Sequence, residues 1–349
     1  MITTTISLRR AREYAGIAIM AGLVPYLAGP PGIGKSAIAQ NMADEVNFQL
    51  IDYRFSTGSP EDQTGLPVKV NQEGKDRAVF LPFNDLFPTT DTPLPPGKDG
   101  WLLFLDELSN APKHMQAAAY KVILDRKVGD KSLHPNVVIM AAGNRVQDRA
   151  AAVQLGTALN SRMIILDVYP ELDEWMEDVA LPRRFDPRIV AFLSNYPEML
   201  MDFDPSRDRG TFACPRTWSF MDAILKLGTV DVEDKHLALF CGTVGATAAP
   251  QFVNFLQVYS RIPSIQEIVD KPQTTPVGTD SATNWAIASM LLDKLTPDNA
   301  DALLTYAQRL PATFMIFFGK SARLQNSWLD STAAWPAFAG ELAQRMIPR

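Results

Sequence analysis

The chain has 349 residues, 46% of them hydrophobic and 21% charged, with a formal net charge of −6 and a pI near 5.2. That length suffices for one large or two medium domains with their own cores. The acidic balance speaks against a protein that coats nucleic acid, which needs concentrated Lys and Arg, and no apolar run reaches the ~20 residues that span a bilayer. The two cysteines (Cys214, Cys241) and three scattered histidines (His114, His134, His236) form neither a disulfide framework nor a metal-ligand spacing. A reduced, cytoplasmic setting is expected. Basic residues cluster only as pairs, Arg9-Arg10 and Arg183-Arg184, the pattern of a solvated surface.

The opening segment has an arginine pair ahead of apolar residues, as a secretion signal does. Glu13 interrupts it, and Leu8, Ala11, Tyr14, Ala15, Ile17 and Ala18 fit an amphipathic helix that leads into a buried strand, Val24–Ala28. Residues 35–46 read as a helix and Phe48–Tyr53 as a second strand. Residues 55–100 are rich in proline and mostly not helical. Within them, 66–70 and 77–81 flank the polar turn Asn71-Gln72-Glu73-Gly74-Lys75-Asp76, a hairpin inserted into the core. Trp101–Leu105, Val137–Ala142 and Met163–Leu166 are further apolar strands. Continuous apolar strands separated by helices indicate a parallel sheet covered on both faces.

After about residue 187 the strand signals fade. Ile189–Leu193, Thr217–Leu227, His236–Val244 and Ala302–Leu310 read as helices, and residues 263–282, with Pro263, Pro272, Pro276 and Gly278, as a loop or exposed linker. The apolar and aromatic residues of 310–349, among them Phe314, Phe317, Phe318, Trp328, Trp335 and Phe338, suit a packed terminal bundle. The expected organisation is an α/β nucleotide-binding core over 1–186, with the inserted hairpin region at 55–100, followed by a helical lid and helical extension over 187–349.

Gly29-Pro30-Pro31-Gly32-Ile33-Gly34-Lys35-Ser36 matches G-x-x-x-x-G-K-S/T between an apolar strand and a helical pattern that begins with Ala37. Glycines let backbone N–H groups wrap phosphates, and the helix N-terminus adds a favourable dipole. Lys35 is expected on the β/γ-phosphates of ATP and Ser36 on Mg²⁺. Trp101-Leu102-Leu103-Phe104-Leu105-Asp106-Glu107 is an apolar strand ending in two acids. Asp106 is expected to hold the Mg²⁺ shell and Glu107 to polarise the attacking water. A third apolar strand ends at Gly143-Asn144, which places an amide where it can orient that water or touch the γ-phosphate.

These three elements resemble the AAA+ ATPases, and further details resemble their MoxR branch. Ser59-Pro60-Glu61-Asp62-Gln63-Thr64-Gly65-Leu66-Pro67 is similar to the stretch that leads into that branch's hairpin, Leu159-Asn160-Ser161-Arg162-Met163 to its helix-end arginine, and Cys214-Pro215-Arg216-Thr217-Trp218 to the start of its lid helix. The resemblance covers roughly residues 10–230. It implies a hexameric ring with ATP between subunits, Arg162 reaching the neighbour's γ-phosphate, and Arg216 contacting nucleotide from its own subunit. The branch usually has Asp before and Phe after the first of these arginines. Ser161 and Met163 depart from that pattern, and Arg145 and Arg149 compete for the role. The resemblance further implies a protein client and a partner with a von Willebrand type A domain. The expected function is remodelling of a partner protein driven by ATP hydrolysis. A nucleotide-gated scaffold with slow turnover and a nucleic-acid motor or loader are the alternatives, and the acidic pI counts against the last.

Overall fold

The computed structural model describes residues 4–72, 75–148, 155–206, 210–229, 234–259 and 261–346. The chain divides into two compact units, Met1–Tyr169 with Asp204–Arg207, and Pro170–Phe203 with Asp208–Arg349. The boundary expected at 186 therefore lies at 169/170. Residues 170–186 follow the sheet's last strand, and their apolar side chains recur at helical spacing. Trp175, Met176, Ala180 and Phe185 accordingly bury in the helical core.

The first unit contains β1 (Val24–Ala28), β2 (Phe48–Arg54), β3 (Leu66–Gln72), β4 (Lys75–Leu81), β5 (Gly100–Asp106), β6 (Lys127–Val128), β7 (Lys131–Ser132), β8 (Val137–Gly143) and β9 (Met163–Asp167). Five of these form one sheet in the order β2-β5-β8-β1-β9, and every pair in it is parallel. Both faces are covered, which is why β1 and β5 are buried at every residue. Trp101, Leu103 and Leu105 face one core with Met115 and Ala119 of helix Lys113–Tyr120. Alternation turns Leu102 and Phe104, also buried, to the opposite face, where helices Leu8–Met20 and Lys35–Glu45 pack on the sheet. The result is a three-layer α/β/α core.

Residues 55–100 contain the expected hairpin. β3 and β4 pair antiparallel from Leu66↔Leu81 to Gln72↔Lys75, and turn residues 73 and 74 lie outside the described residues. Leu66, Val68, Phe80 and Leu81 stay exposed along it. The region also holds a short helix, Pro60–Thr64, whose start is closed by the Ser59 amide donating to Asp62 Oδ2 at 2.8 Å. The β6–β7 hairpin has no counterpart in the expected elements, because two-residue strands carry no periodicity.

The described residues of the second unit contain helices and no strand. Its longest element, Leu237–Tyr259, is broken by Gly245 at φ 88°. The stretch 263–282 is not all loop. Helix Ile265–Asp270 starts at a reciprocal cap, with the Glu267 amide donating to Ser264 Oγ at 3.3 Å and the Ser264 amide to Glu267 Oε2 at 2.8 Å. The loop that follows is clamped by Arg309, which donates 2.8 Å bonds to the carbonyls of Pro272 and Thr275. Helices Ala312–Gln325 and Trp335–Met346 form the terminal bundle, where Phe314, Phe318, Trp335 and Phe338 are buried. Among the described residues no helix is long and apolar enough to cross a membrane.

Phe192, on helix Pro187–Asn195, is the hub of the second unit's aromatic packing. Its ring lies 5.2–5.7 Å from those of Tyr196, Phe252, Trp218 and Phe255. Phe192→Ala is expected to cost about 3–5 kcal/mol through lost burial and the cavity left behind. Urea unfolding followed by tryptophan fluorescence, to which Trp218 contributes, checks this, and an unchanged midpoint contradicts it.

Candidate functional site

The site begins where β1 ends. The loop after Ala28 needs backbone conformations that side chains resist. Gly32 has φ 79° and Gly34 φ 107°, and Gly34 caps helix Lys35–Glu45 in the left-handed region. Ile33 is buried beneath the loop. The Lys35 side chain is only 8% exposed. Its ammonium donates to the carbonyls of Gly29 (2.7 Å) and Pro30 (2.8 Å) and to Asn144 Oδ1 (3.3 Å). A charge held this deep is stable only with close acceptors, and the carbonyls hold it at the mouth of its own loop. Ser36, one residue into the helix, donates to Asp106 Oδ2 at 3.1 Å. A hydroxyl beside a carboxylate is the hard-oxygen pair that suits Mg²⁺, so these residues fit that ion.

β5 delivers the acids. Asp106 also accepts the Glu107 amide at 2.8 Å, and Glu107 itself adopts a left-handed backbone, φ 55°. That conformation is uncommon outside glycine and swings the carboxylate off the strand line. The Ser56 hydroxyl, just beyond β2, donates to Glu107 Oε2. Asp52, on β2, keeps its side chain 34% exposed. Burial first, and Asp106 second, lift its carboxyl above the usual range, with Arg54 opposing.

β8 delivers Asn144. Its Oδ1 meets Lys35, its Nδ2 lies 3.5 Å from Asn110 Oδ1, and its carbonyl accepts from Ser109 Oγ at 2.9 Å. Two hydrogen-bonded pairs, Lys35 with Asn144 and Ser36 with Asp106, thus start from adjacent residues of one helix, and Glu107 follows Asp106 in the chain. The arginines are dispersed. Arg145 donates to Asp148 (2.9 and 3.1 Å) and to Asp167 (3.2 Å). Burial opposes its charge, but the two carboxylates more than offset this and hold its pKa above the ordinary value. Arg149 lies outside the described residues. Arg162, at the turn before β9, is exposed and donates to the Ala158 carbonyl at 3.0 Å. Arg216 is exposed on the second unit, at the second position of helix Pro215–Lys226.

Four residues of this site escaped the sequence reading: Tyr26, Ser56, Ser109 and Asn110. Leu108-Ser109-Asn110, immediately after the two acids, was a polar signal available in the sequence. Tyr26 and Ser56 had none, because their partners are distant in the chain. Burial pushes the Tyr26 hydroxyl up to about 12, and the hydrogen bond it shares with Ser109 opposes that shift.

Comparison with curated proteins finds no match. Among solved structures, the chain is similar to a RuvB variant of Thermotoga maritima, at 14% identity over 96% of this chain and 88% of that one, with a TM-score of 0.35. It is also similar to NtrX of Brucella abortus in complex with ADP, at 13% identity over 99% and 70%, TM-score 0.34. A third similar structure is a candidate ATPase of Cytophaga hutchinsonii, at 14% identity over 84% and 79%, TM-score 0.34. Residues 26–163 match the family described as AAA domain (dynein-related subfamily). That segment runs from Tyr26 in β1 to Met163, the first residue of β9, and contains Lys35, Ser36, Asp106, Glu107 and Asn144.

Proposed function

We propose that the chain is a MoxR-like AAA+ ATPase that hydrolyses ATP at the subunit interfaces of a hexameric ring and uses the motion to remodel or mature a partner protein complex. The observation that supports this most is the meeting of Lys35, Ser36, Asp106 and Asn144 at the C-terminal ends of three adjacent strands. In a parallel α/β sheet, ligands bind at that end.

The roles follow from chemistry. The loop 29–36 wraps the phosphates with backbone N–H groups, and Ala37 continues the helix whose N-terminus faces them. Lys35 exchanges its carbonyl partners for β/γ-phosphate oxygens. Ser36 and Asp106 would hold Mg²⁺, which would supply positive charge beside the phosphates. Glu107 takes the proton of the attacking water, and Asn144 orients that water. Arg162 supplies positive charge to the neighbour's γ-phosphate, and Arg216 contacts nucleotide from the second unit. The exposed hairpin β3–β4 engages the client, and a von Willebrand type A domain protein is the partner that the family resemblance supports. A cytoplasmic setting fits this work.

One observation favours a slower variant of this reading. Ser56 donates to Oε2 of the Glu107 carboxylate, a bond that lowers the basicity of the group and fixes its aim. Basal turnover is then low until the 55–100 region shifts, as in a nucleotide-gated scaffold stimulated by its partner. Nucleic acid is not expected to stimulate it, given the net charge of −6.

Glu107→Gln is expected to lower ATP turnover by roughly 10²- to 10⁴-fold while ATP binding persists. Steady-state phosphate release beside equilibrium binding of a fluorescent ATP analogue checks it, and a mutant with wild-type turnover rejects Glu107 as base. Arg162→Ala is expected to lower turnover by roughly 10³-fold. Because its role is across the interface, mixing it with Lys35→Ala, which is inactive for want of nucleotide, should restore part of the activity. No recovery on mixing removes the shared site.

A further inference from the structure

The turn that follows Glu107 is a single tight one, Leu108–Asn110, closed by the Asn110 amide donating to the Glu107 carbonyl at 2.9 Å. Ser109 sits in its middle, 2% exposed, and its hydroxyl reaches across to the end of β8. There it lies 2.9 Å from the Asn144 carbonyl and 3.1 Å from Asn110 Oδ1. On its other side is the hydroxyl of Tyr26, from the middle of β1. The two hydroxyls close on the Cα of Gly143. A Cβ built there would lie 2.2 Å from Tyr26 Oη and 2.5 Å from Ser109 Oγ. The approach is therefore open only to glycine, and it draws β8's last residue against the turn that carries the general base.

We propose that Ser109 is a positioning residue for ATP cleavage: through the Asn144 carbonyl it sets the spacing of Asn144 from Glu107 and Lys35, with the Tyr26 hydroxyl fixing the direction in which Ser109 acts. The inference rests on the ATPase reading above. Ser109 touches no part of that reaction itself. It lies two residues from the proposed base and is bonded to the residue proposed to orient the water, so one buried hydroxyl joins two groups that must share a geometry. Asn110 completes the arrangement, since its Oδ1 faces Asn144 Nδ2 and leaves Asn144 Oδ1 turned to Lys35. The middle of β1, the turn after β5 and the end of β8 are thereby tied together by Tyr26, Ser109 and Asn110, side chains with no proposed contact to the phosphates.

A buried serine that merely satisfies a turn would, when removed, loosen nucleotide binding and cleavage together or affect neither. A positioning serine separates them. The test uses the full chain and measures ATP-analogue Kd, kcat, KM and Tm for wild type, Ser109→Ala, Tyr26→Phe and the double variant. Ser109→Ala is expected to lower kcat about 10- to 100-fold with Kd held close to wild type, the cost of a small misplacement of reacting groups. Tyr26→Phe, which keeps the ring and loses only the hydroxyl, is expected to lower kcat about threefold at unchanged Kd, and the double variant to be no slower than Ser109→Ala, because groups acting as one unit are not additive. Wild-type kcat in Ser109→Ala, or losses in kcat and affinity that move together, overturns the proposal. Should Ser109→Ala fail to fold, Tyr26→Phe decides alone: a wild-type kcat there overturns the network. A wild-type chain that binds ATP and cleaves it while both variants match it defeats this proposal only, whereas a wild type that neither binds nor cleaves ATP defeats the underlying reading as well.

Discussion

Parallel pairing of β5, β8 and β1 is the constraint on which the rest of the first unit depends. The register places Phe104 beside Met140 and Tyr26 beside Ala141, so all three strands run out at one rim of the sheet. Parallel strands need helical crossovers, and those crossovers bury both faces, which in turn requires apolar side chains at nearly every strand position. Polar residues are therefore pushed to the strand ends. Asp106 and Asn144, with Lys35 and Ser36 beyond β1, collect at the rim because the interior of the sheet cannot accept them.

Lys35 and Asp106 each have hydrogen-bond partners at the rim before any ligand arrives. Lys35 is held by carbonyl dipoles and an amide, and Asp106 by a hydroxyl and a backbone N–H. Neither charge is buried without a partner, and that keeps the unliganded core stable. The acids are crowded, however. Asp52 is pushed up partly by Asp106 and Glu107, which is the electrostatic condition a bound divalent cation relieves. The site thus carries a surplus of carboxylate where a metal is proposed.

The loop from Gly29 to Ser36, the two acids at the end of β5 and the end of β8 were legible as structure because each is a local pattern, a run of apolar residues followed by fixed polar types. The strands were legible for the same reason, and they extend only one or two residues beyond the stretches read from the sequence, to Arg54, Asp106, Gly143 and Asp167. What was not legible is non-local. Gly143 is spelled out in the sequence, but its reason is the pair of hydroxyls 34 and 117 positions away that occupy the space of a Cβ. Ser56 lies 51 positions from Glu107. The helix Ile265–Asp270 was hidden among prolines although Ser264-x-x-Glu267 marks its start. The 169/170 boundary was missed because helical patterns before and after it look alike, and only packing decides which core takes them.

Arg145 and Arg162, the two described candidates for an arginine that reaches a neighbouring subunit, differ in what each would leave behind on moving. Arg145 bridges Asp148, which is 3% exposed at its side chain, and Asp167 at 12%. Withdrawing it would strand two carboxylates away from water, and breaking such a pair from one side is strongly unfavourable. It serves the subunit that carries it. Arg162 has only a backbone carbonyl to give up, on an exposed turn where water replaces that bond at once. Among the described residues it has no acidic partner to abandon. A residue that must leave its own subunit's surface to meet a neighbour's phosphate has to be cheap to release, and Arg162 meets that condition where Arg145 does not.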